Sequence, residues 1–201
     1  KHLAKVLKLF TSTALEIGEG QQFDMEFENR NDVKEEEYIE MIRLKTSVLL
    51  ACALKMGAIL ADASDEDAEN LYKFGEQIGL AFQLQDDYLD VYGDPAVFGK
   101  KIGGDILCNK KTFMLITALS LAEGEDKETL LNWLRATDDV AEEKIQSVTA
   151  LYNKVGVPEL CQARIDAYYK EGLELLDKVN VESSLKEELK KFVCHLMDRK
   201  L

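Results

Sequence analysis

The stretch FQLQDDYLD, residues 82–90, decides how this chain is read, because it sets three carboxylates and two amides where an otherwise apolar helix should continue. Outward from it, apolar residues recur at helical rather than alternating spacing nearly everywhere, and only two prolines interrupt 201 residues. The spacing predicts an all-α protein, a helical bundle forming one domain over 1–201. Its helices are expected over 1–18, 35–62, 65–92, 111–123, 126–136, 138–155, 158–178 and 183–199. Ser64, followed by Asp65, Glu66 and Asp67, is the expected N-cap of the helix that carries the stretch. Pro158 is expected at a first helical position, where its missing N–H costs nothing. Gln21, Gln22 and Asp24, after Gly18 and Gly20, are expected to end the first helix and turn the chain. The one long irregular connection is GDPAVFGKKIGGDILCNK, residues 93–110, and long loops in compact domains are often functional.

Composition bounds the partners. A formal net charge of −13 disfavours nucleic acid or an anionic membrane, since either asks for a basic surface. The four cysteines, Cys52, Cys108, Cys161 and Cys194, form no CxxC pair, so neither a zinc site nor a disulfide framework is expected, and a reducing, cytoplasmic setting fits. The most apolar run, Ser47 to Ala61, is too short to span a bilayer and contains Lys55, so it reads as core helix, with no transmembrane segment. The start, KHLAKVLKLF, has apolar residues at helical spacing and no signal-peptide pattern, and reads as sequence from the middle of a protein.

On a helix Gln83, Asp86 and Asp90 fall at i, i+3 and i+7, in one stripe with Asp87 beside them. Carboxylates a turn apart repel, and a cation converts that cost into binding. With only oxygen ligands at hand the metal should be hard: Mg²⁺ first, Mn²⁺ or Ca²⁺ after, sharing its shell with phosphate oxygens. The competing reading is a solvated acidic face. The loop that follows brings Lys100, Lys101 and Lys110 behind the carboxylates, and lysines beside bound metal point to a polyanionic ligand. The spacing from Gly93 to Lys100 resembles a P-loop with one residue too many, and Lys101 stands where Ser or Thr is required, so it is not a nucleotide-binding P-loop. Lys45-Thr46 interrupts a second apolar helix, YIEMIRLKTSVLLACAL, where an ammonium needs an anion or must carry its charge out to water along its stem.

Taken in order, GEGQQFD, the KT pair, FQLQDDYLD and GKKIGGDILCNKKT, the chain resembles the trans-isoprenyl diphosphate synthases. The resemblance implies an isoprenoid synthase-type helical bundle around a central cavity, commonly a homodimer. It also implies Mg²⁺-dependent condensation of an allylic diphosphate with isopentenyl diphosphate, giving a longer all-trans prenyl diphosphate. By it Asp86, Asp87 and Asp90 form the second aspartate-rich motif and meet a Mg²⁺ on the allylic diphosphate. Lys45 and Thr46 match the KT pair that contacts this diphosphate, and Gln83 faces the reacting end of the allylic chain. Lys100 matches the lysine of GKxxGxD, with Lys101 as its rival, and Lys110 the lysine closing that segment. Gln21 and Asp24 match GQxxD.

The first aspartate-rich motif and the arginine-bearing segments of the family are not found in these 201 residues. The chain therefore reads as roughly the C-terminal two-thirds of a synthase, lacking the N-terminal helices, and this length alone is expected to be inactive. Product length stays open, with farnesyl or geranylgeranyl diphosphate expected. Two other readings are a class I terpene cyclase, disfavoured by the KT pair and the lysine loop, and a non-catalytic helical interaction module. Arg199 is assigned no role.

Overall fold

The computed structural model describes residues 1–95, 102–136 and 140–198. Among these the regular structure is helical, without strands: α1 (Leu3–Phe27), α2 (Glu35–Ile42), a π-helical turn (Arg43–Ser47), α3 (Val48–Leu60), α4 (Asp65–Tyr92), α5 (Gly104–Leu107), α6 (Phe113–Leu121), α7 (Gly124–Trp133), α8 (Ala141–Lys154), α9 (Val157–Lys178) and α10 (Ser183–Met197). No described helix is long and apolar enough to cross a membrane.

Helix α4 starts where its sequence signals place it. The Asp67 N–H donates to Ser64 Oγ at 3.0 Å, and the Ser64 hydroxyl donates to the Asp67 carboxylate at 2.8 Å. One otherwise unpaired amide of the first turn is thereby satisfied. Other boundaries differ from expectation. Helix α1 runs on through Gln21, Gln22 and Asp24 to Phe27 instead of ending near residue 18. Its glycines are not a stop signal: a Cβ on Gly20 would lie 2.8 Å from Leu44 Cβ, so this glycine lets two helical segments touch. Helix α9 begins at Val157, which puts Pro158 one residue inside it. The connection after Gly93 is not irregular throughout, because α5 forms within it.

The chain divides into two compact units. The first comprises Lys1–Met25, Ile39–Gln83 and the described residues from Arg164 to Asp198, and the second Glu26–Tyr38 and Leu84–Ala163. In the first unit Phe74 and Ile78 of α4, a turn apart, are buried against Leu175 and Leu176 of α9, Val179 just after it and Val193 of α10. This is an amphipathic stripe used as its period requires. In the second unit α6 is buried from Phe113 to Ala118, and Thr112 caps it by accepting from the Leu115 N–H. Around that unit's core stand Leu84, Leu89, Ile106, Leu130, Val148 and Tyr152, all buried.

Candidate active site

In the first unit the KT pair sits in the π turn. A π turn admits one extra residue and re-aims its side chains, and such turns are frequent at functional sites. Lys45 Nζ pairs with Asp24 Oδ2 at 2.6 Å, with 34% of the lysine side chain exposed. The ammonium is thus neither simply buried nor simply snorkelled: it has an anion from α1 and an open side. Thr46 Oγ1 donates to Gln83 Oε1 at 3.1 Å. The turn is held close to its neighbours: a Cβ on Gly79 of α4 would lie 2.6 Å from Ser47 Cα. Arg43, at the start of the turn, bonds Glu40 at 2.7 Å and Glu76 of α4 at 3.0 Å. Of the two residues matched to GQxxD, Asp24 is engaged here, whereas Gln21 is exposed on α1.

In the second unit the last turns of α4 meet the segment 102–112. Asp90 is half-buried, and its Oδ2 accepts the Asp105 N–H at 2.9 Å while its carbonyl accepts the Gly103 N–H at 2.6 Å. Burial pushes the Asp90 carboxyl up; the Asp105 N–H opposes this, while the Asp105 and Asp86 charges add to it. Lys110 Nζ lies 3.3 Å from Asp105 Oδ1 and 3.9 Å from Asp87 Oδ1. Asp86 is half-buried, in the stripe with Gln83 and Asp90. Asp87 differs from its neighbours: it is 2% exposed and its Oδ2 accepts the phenol of Tyr38, itself 1% exposed. Burial, and then the Asp87 charge, hold the Tyr38 phenol well above its usual range, so it stays a donor.

Lys100 and Lys101 lie outside the described residues, as does Arg199. Sequence reading missed Tyr38 and Asp105. The signal for Asp105 was its place in GGDI, where a short polar turn follows an acidic helix. For Tyr38 it was a phenol in the apolar helix before the KT pair, since a buried tyrosine hydroxyl needs a partner.

Among the described residues no group of three or more His, Cys, Asp or Glu side chains is gathered closely enough to hold a metal ion. The donor set still suits Mg²⁺, which typically takes one or two carboxylates and fills its shell with water and phosphate oxygens. Every carboxylate here is a hard oxygen donor. The charges of Asp105 and Asp86 push the Asp90 carboxyl up, an effect that a cation opposes.

Residues 1–152 match the family model described as polyprenyl synthetase. A short chain isoprenyl diphosphate synthase from Methanothermobacter thermautotrophicus is 39% identical over 184 residues, covering 90% of this chain and 56% of its own length. A solved geranylgeranyl pyrophosphate synthase is 39% identical with a TM-score of 0.90, over 98% of this chain and 62% of that one. A geranylgeranyl pyrophosphate synthase from Corynebacterium glutamicum, complexed with isoprenyl diphosphate and magnesium, gives a TM-score of 0.90 at 29% identity, over 100% of this chain and 57% of that one. The chain thus spans a little over half the length of these relatives. A match over residues 1–152, the stretch that contains the ordered motifs, makes this chain a member of the polyprenyl synthetase family.

Proposed function

We propose that this chain carries the part of a trans-prenyl diphosphate synthase that binds and ionises the allylic diphosphate, for condensation with isopentenyl diphosphate. The observation that carries this reading is Lys110, set by the segment after α4 within 3.3 Å of Asp105 and 3.9 Å of Asp87. A cation thus stands on Asp105, bonded to Asp90, and on Asp87, next along the chain to Asp86; Asp86 and Asp90 are the carboxylates that would hold the metal. Mixed charge of this kind suits a metal diphosphate, whose phosphate oxygens want the ammonium while its metal wants the carboxylates.

Cleaving the allylic carbon–oxygen bond moves negative charge onto the departing diphosphate. By the family resemblance Lys110 and Lys45 would each neutralise that charge, and within its own unit each is already oriented by an aspartate. Thr46 would turn its hydroxyl from Gln83 Oε1 to donate to a diphosphate oxygen, and Gln83 would face the reacting carbon. Bound through Asp86 and Asp90, Mg²⁺ would supply further stabilisation of the leaving group. Asp87, with its Oδ2 tied to Tyr38, would act mainly by holding Lys110. Lys100 or Lys101 would add to the cationic side, and Gln21 to the allylic one. A cytoplasmic setting suits the four unpaired cysteines, and the family resemblance supports a homodimer. Farnesyl or geranylgeranyl diphosphate would be the product. The KT pair favours this reading over a terpene cyclase, and a product requirement for isopentenyl diphosphate separates the two.

The test is the thermal midpoint of the chain with Mg²⁺, inorganic diphosphate, both or neither, beside Asp86→Ala. A ligand that binds only the folded state raises the midpoint. A rise that needs both ligands and is lost in the variant is expected. No rise, or a rise that the variant keeps, overturns the reading and favours an acidic surface without chemistry.

A further inference from the structure

Lys144 on α8 is 3% exposed, yet the reading above gives it no task. Its ammonium donates to Leu107 O at 3.2 Å and to Asn109 Oδ1 at 2.8 Å. A charge taken so far from water is costly unless its donors are used, so its hydrogen bonds show what it organises. Leu107 closes α5, and its carbonyl belongs to the end of a helix too short to pair all its own groups. Asn109 follows with φ +53°, a left-handed conformation that a side-chain amide helps to hold. Its amide is oriented from both ends: Oδ1 accepts from Lys144, and Nδ2 donates to Leu134 O at 2.9 Å. The next residue is Lys110, whose N–H returns to Asp105 O at 3.0 Å and whose ammonium meets Asp105 and Asp87.

The segment from Gly103 to Lys110 is therefore held at its start and at its end, where Leu134 O and the Lys111 ammonium also bond Asn109. Its start is bonded to Asp90, through the Gly103 and Asp105 amides. Its end is bonded to Lys144, through Leu107 and Asn109. Without Lys144, Asp90 would still fix Asp105, but the left-handed step at Asn109 would lose the donor to its Oδ1, and Lys110 leaves the chain directly after that step. We infer that Lys144 is a positioning residue, which through Asn109 sets Lys110 in place to receive a diphosphate. This rests on the diphosphate reading of the same site.

The test measures the affinity of the chain for inorganic diphosphate in saturating Mg²⁺, by calorimetry well below the unfolding midpoint. It compares wild type, Lys110→Ala, Lys144→Met and the double variant. Lys144→Met keeps the volume while removing the donor from Leu107 O and Asn109 Oδ1. Lys144→Met should weaken diphosphate binding about tenfold, the order seen when partners of binding groups are removed. The double variant should be no weaker than Lys110→Ala, because the two act as one unit. Hydrogen exchange at the Cys108 and Lys110 amides should quicken in Lys144→Met, with α8 unchanged. A merely structural lysine would lower the unfolding midpoint while leaving this affinity alone. Binding that needs Lys110 but is unchanged in Lys144→Met overturns the inference alone. A wild-type chain that binds no diphosphate, or binds it equally without Lys110, overturns the diphosphate reading and the inference with it. If Lys144→Met loses its helical circular dichroism, Asn109→Gly decides, since glycine accepts the left-handed φ while removing the amide; unchanged affinity there overturns the inference.

Discussion

The π turn around Lys45 and the turn around Lys110 each present a lysine paired with an aspartate, and they hold it by different means. Around Lys45 the backbone is helical throughout, and its position is set by volume: Gly20 and Gly79 bring neighbouring helices against residues 44–47. Around Lys110 the backbone leaves regular structure, and its position is set by donors and acceptors on Asp90, Asp105, Asn109 and Lys144. The first arrangement should be sensitive to added atoms and the second to lost hydrogen bonds.

The largest effect is expected where a buried charge loses a donor. Tyr38→Phe removes the phenol from the buried Asp87 carboxylate and should lower stability by about 1.5–3 kcal/mol, the cost of a hydrogen bond to a charged group, read from urea unfolding. An unchanged midpoint would mean that the second region, like the first, is held mainly by packing. Gly79→Ala comes next. Overpacking against Ser47 should cost about 1–3 kcal/mol, offset by about 1 kcal/mol from the better helix propensity of alanine, for a net loss of up to about 2 kcal/mol. A stabilised variant would show that the close approach of α4 to the π turn is not maintained.

The smallest effect is expected at Asp67, which lies in neither region and ties two segments of the first unit. It accepts the Asn180 N–H at 2.7 Å as well as the Ser64 hydroxyl, and these bonds hold its carboxyl below the usual range. A depressed carboxyl contributes stability above its unfolded pKa and loses it as pH falls through the folded value. Asp67→Asn should therefore melt below wild type at neutral pH, with the gap closing in acid below the usual carboxylate range of about 4. A gap that persists in acid would assign the effect to shape and not to charge.

Periodicity and capping alone gave both ends of α4, because Ser64 and the three acids after it act within one helical turn. The same local rules misplaced the end of α1. Gly20 reads as a stop only while Leu44 is out of view, since the use of its missing Cβ lies across another helix. The stripe of Gln83, Asp86 and Asp90 was legible for the same reason as the helix, being a matter of spacing. That Asp87 turns inward to Tyr38 was not, because its partner is 49 residues away.

The helical period was sufficient to establish an all-α chain, and the order of the motifs to bring out its resemblance to the trans-isoprenyl diphosphate synthases and to point to most of its candidate site. Both are local properties, written in spacings of three, four and seven residues. Tertiary structure alone decided which carboxylate is buried, that the KT pair rides a π turn against two glycines, and that a lysine on α8 holds the turn before Lys110. Those outcomes depend on which donor meets which acceptor once distant segments pack, and no residue's neighbours along the chain carry that information.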